Sequence, residues 1–303
     1  MMKTLKTVFV FAALLFASCA KGETGRLVTD PMGGEARLFA VDRIISTAPS
    51  NTEIIVGLGL GKKLVAVDKY SAGTAGVDPN LPRIDFVYPD AEAIIALAPD
   101  LIIAAEHNRV TGGDDPFTLI REAGIAVVYI PTSASIAGIY RDIAFIAGVL
   151  EADERGGEMI AAMRERVDAY RAASEGREKK RVYFEISPPP HIVSFGRGTF
   201  LDELVEITGA ENIFADTDGW IAPGEEAVVN RNPQVILTNV PYGRSGSAFL
   251  TEEFRARPGF DAVDAVKTGR VFFIDADASS RPSQHILTAL EQIVRAVYPE
   301  DDE

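Results

Sequence analysis

The most constraining feature of this sequence is a pattern that occurs once in each half of the chain. Residues 90–103 read DAEAIIALAPDLII, and residues 225–237 read EEAVVNRNPQVIL. In both stretches a Glu is followed seven residues later by a Pro and then by an apolar run. The pattern predicts a short helix, a stop at the proline and a buried strand. We therefore predict two lobes of similar topology.

The repeat also includes residues that packing does not explain. The matched glutamates are Glu92 and Glu226, and six residues before each lies an aromatic residue, Phe86 or Trp220. A helix, a proline stop and a strand occur in many α/β proteins. Packing these elements together does not require a carboxylate or an aromatic ring at matched positions. These four residues are therefore candidates for function.

A polar segment between the two repeats has helical periodicity. Its apolar or small side chains recur in steps of three and four, the spacing of one helical face: Ala152, Gly156, Met159, Ile160, Met163, Val167 and Tyr170. A helix of about 24 residues within residues 151–178 would be about 36 Å long. We predict that it joins the two lobes, that it bends, if at all, at Gly156 and Gly157, and that it limits closure to a few degrees.

Apolar runs alternate with helical segments on both sides of this helix. Such strands predict parallel sheets covered on both faces, and hence an α/β fold of two Rossmann-like lobes. Because ligands bind at the carboxyl ends of parallel strands, a ligand cleft is expected between the lobes. The predicted parts are a signal peptide (1–18), a lipidated Cys with a tether (19–40), an N-terminal lobe (41–150), the interlobe helix (151–178) and a C-terminal lobe (179–303).

Two local patterns predict how the N-terminal lobe begins. The turn-forming residues 30–34 (DPMGG) could join two short strands. Ser50 followed three residues later by Glu53 fits a capping box, which predicts that a helix starts at Ser50.

The N-terminus has the features of an export signal. Lys3 and Lys6 precede an apolar core at residues 8–16, which is too short to span a bilayer comfortably. Ala17 and Ser18 then precede Cys19, the only cysteine, in a sequence that resembles the lipobox of bacterial lipoproteins. We therefore expect an exported chain that a lipid on Cys19 holds to a bacterial membrane, in the periplasm or at the cell surface.

Charge and motifs argue against two classes of function. The formal net charge is −14, and phosphate binding needs clustered Lys and Arg, so nucleic acid is not an expected partner. The sequence contains no Gly-x-Ser-x-Gly motif, and Cys19 is expected to be lipidated, so a hydrolase on a two-lobed frame is the least favoured function.

Several motifs in order resemble one family of proteins over residues 43–298. They read RIISTAPSNTEIIVGLGLGKKLVAVD, DAEAIIALAPDLIIA, YFEISPPP followed by GTFLDELVEITGAENIF, and GEEAVVNRNPQVIL. They resemble the substrate-binding proteins of iron-siderophore, haem and cobalamin ABC importers. The resemblance implies two α/β lobes joined by one long helix, a monomer, and no catalytic activity or intrinsic cofactor. It also implies that the protein hands a metal chelate, an iron-siderophore complex or a corrinoid such as cobalamin, to a permease dimer with its ATPase.

The resemblance also implies which carboxylates dock on the permease. By motif they are Glu92 and Glu226, one on the outer surface of each lobe, with Glu225 as the alternative in the second lobe. The other interpretation is that each Glu only complements the dipole of its helix from the first turn. We leave Glu53 out of the site because its capping box explains it.

For the ligand pocket, the resemblance points to Tyr70, Phe86 and Trp220, at positions that contact the flat ligand in cobalamin-binding relatives. Ordinary core packing is the alternative for these rings. Arg197 and Arg281 lie in polar loops of the second lobe, where a guanidinium could clamp a negative charge of a chelate or simply be solvated.

The histidines allow two further hypotheses. His107, His191 and Asp277 could hold bare zinc or manganese, as in binding proteins of similar architecture. If the ligand is haem, His191 and Tyr70 are the first candidates for its axial ligands. His191 is also counted among the residues expected to contact a chelate.

Overall fold

The computed structural model describes residues 25–109, 115–243 and 246–299. The strands, in chain order, are β1 (Arg26–Thr29), β2 (Glu35–Leu38), β3 (Ile44–Ser46), β4 (Leu64–Asp68), β5 (Arg83–Ile84), β6 (Leu101–Ala105), β7 (Ala126–Ile130), β8 (Arg181–Glu185), β9 (Ser194–Phe195), β10 (Glu211–Asn212), β11 (Trp220–Ile221), β12 (Val235–Thr238) and β13 (Val271–Phe273). The predicted signal peptide and Cys19 lie outside the described residues.

Eleven α-helices lie in this described part of the chain. They are α1 (Pro49–Gly57), α2 (Ala91–Ala96), α3 (Thr118–Glu122), α4 (Ile136–Val149), α5 (Asp153–Ser174), α6 (Phe200–Ile207), α7 (Glu225–Arg231), α8 (Ser247–Arg255), α9 (Asp264–Lys267), α10 (Ala276–Ser280) and α11 (Ile286–Val297). None of them is long and apolar enough to span a bilayer.

Two parallel sheets confirm the predicted α/β class. In the described residues, one sheet has the order β5-β4-β3-β6-β7 and the other β10-β8-β12-β13, and every pairing within them is parallel. The strands read as apolar runs because helices cover both faces: β6 and β12 are buried along their whole length. Since each sheet uses only one half of the sequence, the chain passes once from lobe to lobe.

The predicted tether segment (19–40) is wrong at its C-terminal end, because residues 26–38 contain two ordered strands. β1 and β2 form an antiparallel hairpin within residues 26–38, joined by the predicted turn. The buried side chain of Asp30 accepts hydrogen bonds from the amides of Met32 and Gly34 inside the turn. Its other oxygen accepts a hydrogen bond of 2.9 Å from the amide of Tyr129 in β7. This one carboxylate therefore fastens the hairpin to the N-terminal lobe.

The predicted capping box is wrong. Helix α1 begins at Pro49, its N-cap is Ala48, and no side chain caps it. Proline at the first helical position has no amide hydrogen and has its φ angle already set, so the helix starts before Ser50. Glu53 is consequently buried in the middle of α1 rather than folded back on its start.

Helix α5 is the predicted interlobe helix, with 22 residues in place of about 24. It is one continuous α-helix, and Gly156, Met163 and Val167 of the predicted apolar face are buried. It ends before Gly176, whose positive φ of 76° is a conformation that glycine adopts at little cost.

One apolar core extends through both lobes. It includes Ile54 of α1, Ile143 of α4, Met163 of α5, Leu204 of α6 and Leu290 of α11, and each of these is at most 1% exposed. The lobes therefore meet across packed side chains rather than across water, which resists a large change in their relative orientation.

The two adjacent glycines of α5 have different surroundings, which leads to a first prediction. A Cβ at Gly156 would lie 2.5 Å from the Cβ of Ala147 in α4, whereas a Cβ at Gly157 would meet nothing within 4 Å. Gly157→Ala should therefore raise the free energy of unfolding by about 1 kcal/mol through helix propensity. Gly156→Ala should lower it by about 1–2 kcal/mol, because α4 and α5 must move apart.

Urea unfolding of the two variants and the wild type measures this difference, with each variant as the control of the other. If the two substitutions change the free energy of unfolding equally, the close approach of α4 to α5 does not contribute to stability.

Candidate functional site

Three aromatic side chains of the N-terminal lobe form an aromatic cluster, defined as Tyr70, Phe86 and His107. They lie in the segments that follow β4, β5 and β6, which end at the same edge of the parallel sheet. The ring centroids are 6.5 Å apart between Tyr70 and Phe86 and 5.6 Å apart between Phe86 and His107. Tyr70 is 57% exposed, so packing does not account for the position of its ring.

Aspartates hold the loops that carry this cluster. Asp68, at the end of β4, accepts a hydrogen bond of 2.8 Å from the amide of Tyr70 and another from the Ser71 hydroxyl. After β5, Asp85 accepts hydrogen bonds from the amides of Val87 and Tyr88, and these lower the pKa of Asp85. The backbone on both sides of Phe86 therefore has a defined conformation.

His107 presents an uncharged imidazole to this edge of the sheet. Burial of the ring lowers the pKa of His107, and the negative charges of Asp68 and Glu106 only partly oppose this shift. The imidazole is therefore neutral at neutral pH. The Glu106 carboxylate itself accepts a hydrogen bond of 3.0 Å from the amide of Thr132.

In the C-terminal lobe, the predicted ligand residues lie on a small ribbon and a loop. Trp220 in β11 pairs with Phe195 in β9, and the two rings meet edge to face at 6.4 Å. The Trp220 side chain is 56% exposed. Arg197 pairs with Asp218 at 3.1 Å on the surface, and His191 is exposed in the loop after β8.

The structure assigns Glu53 a different position from the one expected. Its carboxylate lies 2.8 Å from the Arg281 guanidinium and 2.5 Å from the Ser283 hydroxyl, both in the C-terminal lobe. The Gln284 side chain donates a hydrogen bond of 2.8 Å to the carbonyl of Glu53. These contacts, here named the interlobe ion pair and its two supporting bonds, join α1 to the segment before α11.

Arg281, a predicted ligand residue, thus already has protein partners. Besides Glu53, it contacts the Asp277 carboxylate at 2.6 Å and donates a hydrogen bond of 3.3 Å to the carbonyl of Tyr70. This last bond brings the C-terminal lobe to the loop that carries the aromatic cluster. A cavity of about 380 Å³ lies beside the ion pair, lined by residues that include Glu53, Thr74, Asp275, Arg281, Gln284 and His285.

A second buried ion pair, which the sequence analysis missed, lies at the end of β8. Both oxygens of Glu185 accept hydrogen bonds from the Arg257 guanidinium, at 2.5 and 2.8 Å. The Tyr242 hydroxyl donates a third bond of 2.6 Å, and the guanidinium lies 3.9 Å from the Phe254 ring centroid. Burial raises the pKa of Tyr242, which remains a donor. No spacing in the sequence relates Glu185 to Arg257, so only the fold reveals the pair.

The two matched glutamates occupy equivalent places. Glu92 is in the first turn of α2 and Glu226 in the first turn of α7, and both are exposed. Each helix starts at the carboxyl edge of its sheet, close in sequence to Phe86 or Trp220. Glu225 is less exposed than Glu226, which favours Glu226 as the docking residue.

The bare-metal hypothesis gains no support from the geometry. Among the residues that the structure describes, no group of three His, Cys, Asp or Glu side chains is placed to hold a metal ion. His107, His191 and Asp277 therefore do not come together, and Asp277 instead pairs with Arg281.

Comparison with known proteins finds one family model and two relatives that each match most of this chain. A family model described as periplasmic binding protein matches residues 44–278. An uncharacterized ABC transporter substrate-binding lipoprotein of Bacillus subtilis is 28% identical over 85% of this chain and 80% of that protein. A vitamin B12-binding protein of Vibrio cholerae is 29% identical over 85% of this chain and 90% of that protein.

A solved structure also matches most of this chain. It is described as a possible iron-binding (periplasmic solute-binding) protein of Staphylococcus epidermidis, with 29% identity and a TM-score of 0.75. The match covers 86% of this chain and 100% of that one.

The interlobe ion pair leads to a second prediction. The Glu53 side chain is 5% exposed and that of Arg281 16%, so Glu53→Gln leaves a largely buried cation with Asp277 as its one carboxylate partner among the described residues. We expect this variant to lose about 2–3 kcal/mol of unfolding free energy in urea denaturation.

The matched control is Asp218→Asn, which breaks the exposed pair with Arg197 and should cost less than about 0.5 kcal/mol. If Glu53→Gln costs no more than Asp218→Asn, the interlobe ion pair does not stabilise the fold.

Proposed function

Because this chain belongs to the periplasmic binding protein family, we propose that it is the solute-binding subunit of an ABC importer and that its ligand is a metal chelate. The chelate is an iron-siderophore complex or a corrinoid such as cobalamin, and a permease with its ATPase receives it. A lipid on Cys19 would hold the protein at the membrane, which agrees with the word lipoprotein in the name of the Bacillus subtilis relative.

The observation that carries this proposal is a pair of exposed aromatic rings, Tyr70 after the carboxyl end of β4 and Trp220 on the ribbon of β9 and β11. Tyr70 and Trp220, one from each lobe, are both more than half exposed. A large ring left in water at a strand end has area to bury against a ligand, and a rigid apolar face stacks well on a planar macrocycle. The vitamin B12-binding relative makes a corrinoid a reasonable first ligand to test.

The charges of the same loops favour a ligand without strong negative charge. Arg197 is paired with Asp218, and Arg281 is paired with Glu53 and Asp277. Lys69 lies 4.8 Å from the Tyr70 ring centroid. A ferric catecholate complex carries several negative charges and would need more cations than these. A corrinoid, which carries little net charge, needs fewer, so the charges support the corrinoid over a ferric catecholate.

Haem is the second candidate, and His107 is the observation that favours it. An imidazole that is neutral at neutral pH and lies edge to face against the Phe86 ring is a suitable ligand for haem iron. Haem bound in this way would give a Soret band that shifts in His107→Ala. Bound cobalamin would instead give the absorption spectrum of cobalamin.

The third prediction concerns ligand retention. The mature chain, mixed separately with cyanocobalamin, ferric siderophores or haem, should retain one coloured ligand through gel filtration, and we expect cyanocobalamin. Tyr70→Ala and Trp220→Ala should each weaken binding by about tenfold, the loss of roughly 1–1.5 kcal/mol of ring contact. Tyr88→Ala is the control, because Tyr88 is an exposed aromatic outside the cluster.

If the chain retains none of these ligands but melts at a higher temperature in zinc or manganese, the chelate proposal is contradicted and a bare metal ion is favoured as the ligand.

The fourth prediction separates docking from ligand binding. Glu92→Arg combined with Glu226→Arg should abolish uptake of the ligand in cells, because each carboxylate is expected to pair with a cation of the permease. Affinity for the free ligand, measured by spectroscopic titration, should stay near that of the wild type. A large loss of ligand affinity would instead assign these carboxylates to the pocket.

A further inference from the structure

Among the described residues, eight large apolar side chains are exposed, and half of them lie in one region of the N-terminal lobe. Those with substantial exposure are Leu27, Phe39, Tyr70, Val87, Tyr88, Ile95, Leu119 and Trp220. Tyr70 and Trp220 belong to the proposed ligand site, and Leu27 and Phe39 lie in or next to the hairpin. The remaining four, here named the apolar patch, are Val87, Tyr88, Ile95 and Leu119. All four lie in α2, in α3 or in the segment just before α2.

Glu92 lies in α2, one of the two helices that, with the segment before α2, carry the apolar patch. Glu92 and Ile95 are three residues apart in α2 and therefore share its outer face. The buried Ile94 of α2 and Ile120 of α3 pack in one core cluster, so α2 and α3 lie side by side. Leu119 is 63% exposed and therefore lies on the solvent side of α3, the helix next to α2.

The backbone before α2 is fixed. Asp85 accepts hydrogen bonds from the amides of Val87 and Tyr88, and Asp90 caps α2 by accepting a bond of 3.0 Å from the amide of Ala93. The side chains of Val87 and Tyr88 therefore extend from an ordered segment. A preformed surface of this kind loses little conformational entropy when a partner covers it.

The corresponding surface of the C-terminal lobe is different. Around Glu226 the exposed residues of α7 and the segment before it are Ala222, Gly224 and Asn230. The only large exposed apolar side chain nearby in the described chain is Trp220, which the ligand site explains. Equivalent carboxylates thus lie in unequal surroundings.

The charge around the patch indicates what covers it. Asp85, Asp90 and Glu92 make this surface acidic, and no hydrogen bond or ion pair of Glu92 is found among the described residues. A second copy of this chain, related by a two-fold axis, would bring Glu92 against Glu92 and is disfavoured by charge. A surface with an Arg or Lys set among apolar side chains would complement it. Apolar contacts around such a pair exclude water and strengthen it.

We propose that the apolar patch is the main anchor of the permease on this protein, so that docking is asymmetric between the lobes. One permease subunit buries Val87, Tyr88, Ile95 and Leu119 around a cation that pairs with Glu92. The other subunit meets Glu226 mainly through charge. This inference rests on the proposed function, since it needs a permease as partner.

The test uses a photoreactive phenylalanine analogue at Asn230, on the exposed side of α7, in the full-length chain in its native cells. The captured protein is identified by mass spectrometry. In one background Ile95→Ser and Leu119→Ser remove part of the patch. In the control background Leu27→Ser and Phe39→Ser remove exposed apolar side chains of similar size near the hairpin. Melting temperatures verify that both backgrounds fold, and Ile95→Ser alone replaces the pair if they do not.

We expect the probe to capture a polytopic permease subunit, with a yield about tenfold lower in the patch background and unchanged in the control. Equal yields in both backgrounds would overturn the asymmetric anchor while leaving the proposed function intact. Capture of a second copy of this chain would also overturn it. If the wild-type background captures no permease at all, the proposed function and this inference fail together.

Discussion

The relative position of the two lobes depends on one packed interface. Apolar side chains of α1, α4, α5, α6 and α11 form a single core, and α4 and α5 lie so close that a Cβ at Gly156 would be 2.5 Å from the Cβ of Ala147. Tyr70, Phe86 and His107 follow strand ends of the N-terminal lobe, and this interface determines their distance from the opposite lobe. The ion pair between Glu53 and Arg281 adds a directional contact at its margin. Packing thus provides the contact area, and the ion pair provides the alignment.

The sequence predicted those parts of the fold that short-range patterns determine. Buried parallel strands are apolar runs, so the two repeats predicted the helices α2 and α7 and the strands β6 and β12 that follow them. Glu53 was misread because a capping box is a local pattern, whereas its partners Arg281 and Ser283 lie more than two hundred residues away. Helices α8 to α10 were not predicted, since α9 and α10 are short and α8 has only a few buried side chains.

In the candidate site, too, the sequence predicted what local patterns determine and missed the contacts between distant residues. Phe86 and Trp220 could be singled out because each lies six residues before a repeated Glu, whereas Tyr70 was singled out by the resemblance to cobalamin-binding proteins. What the sequence did not reveal is how charges cancel between distant segments. Glu185 neutralises Arg257, Glu53 neutralises Arg281, and Asp218 pairs with Arg197. These pairs decide which side chains are left to interact with a solute or a partner, and their members come from segments that sequence periodicity does not connect.

The segment between Phe86 and Glu92 has a further consequence. One end carries a ring of the aromatic cluster and the other end the exposed carboxylate, with Asp85 and Asp90 holding the backbone between them. A displacement of Phe86 has only six residues in which to decay before it reaches Glu92. A contact that moved the Phe86 ring would therefore signal to Glu92 through a short segment of fixed backbone within one lobe. A signal of this kind does not require the two lobes to rotate, and so it remains available to a protein whose lobes share a core.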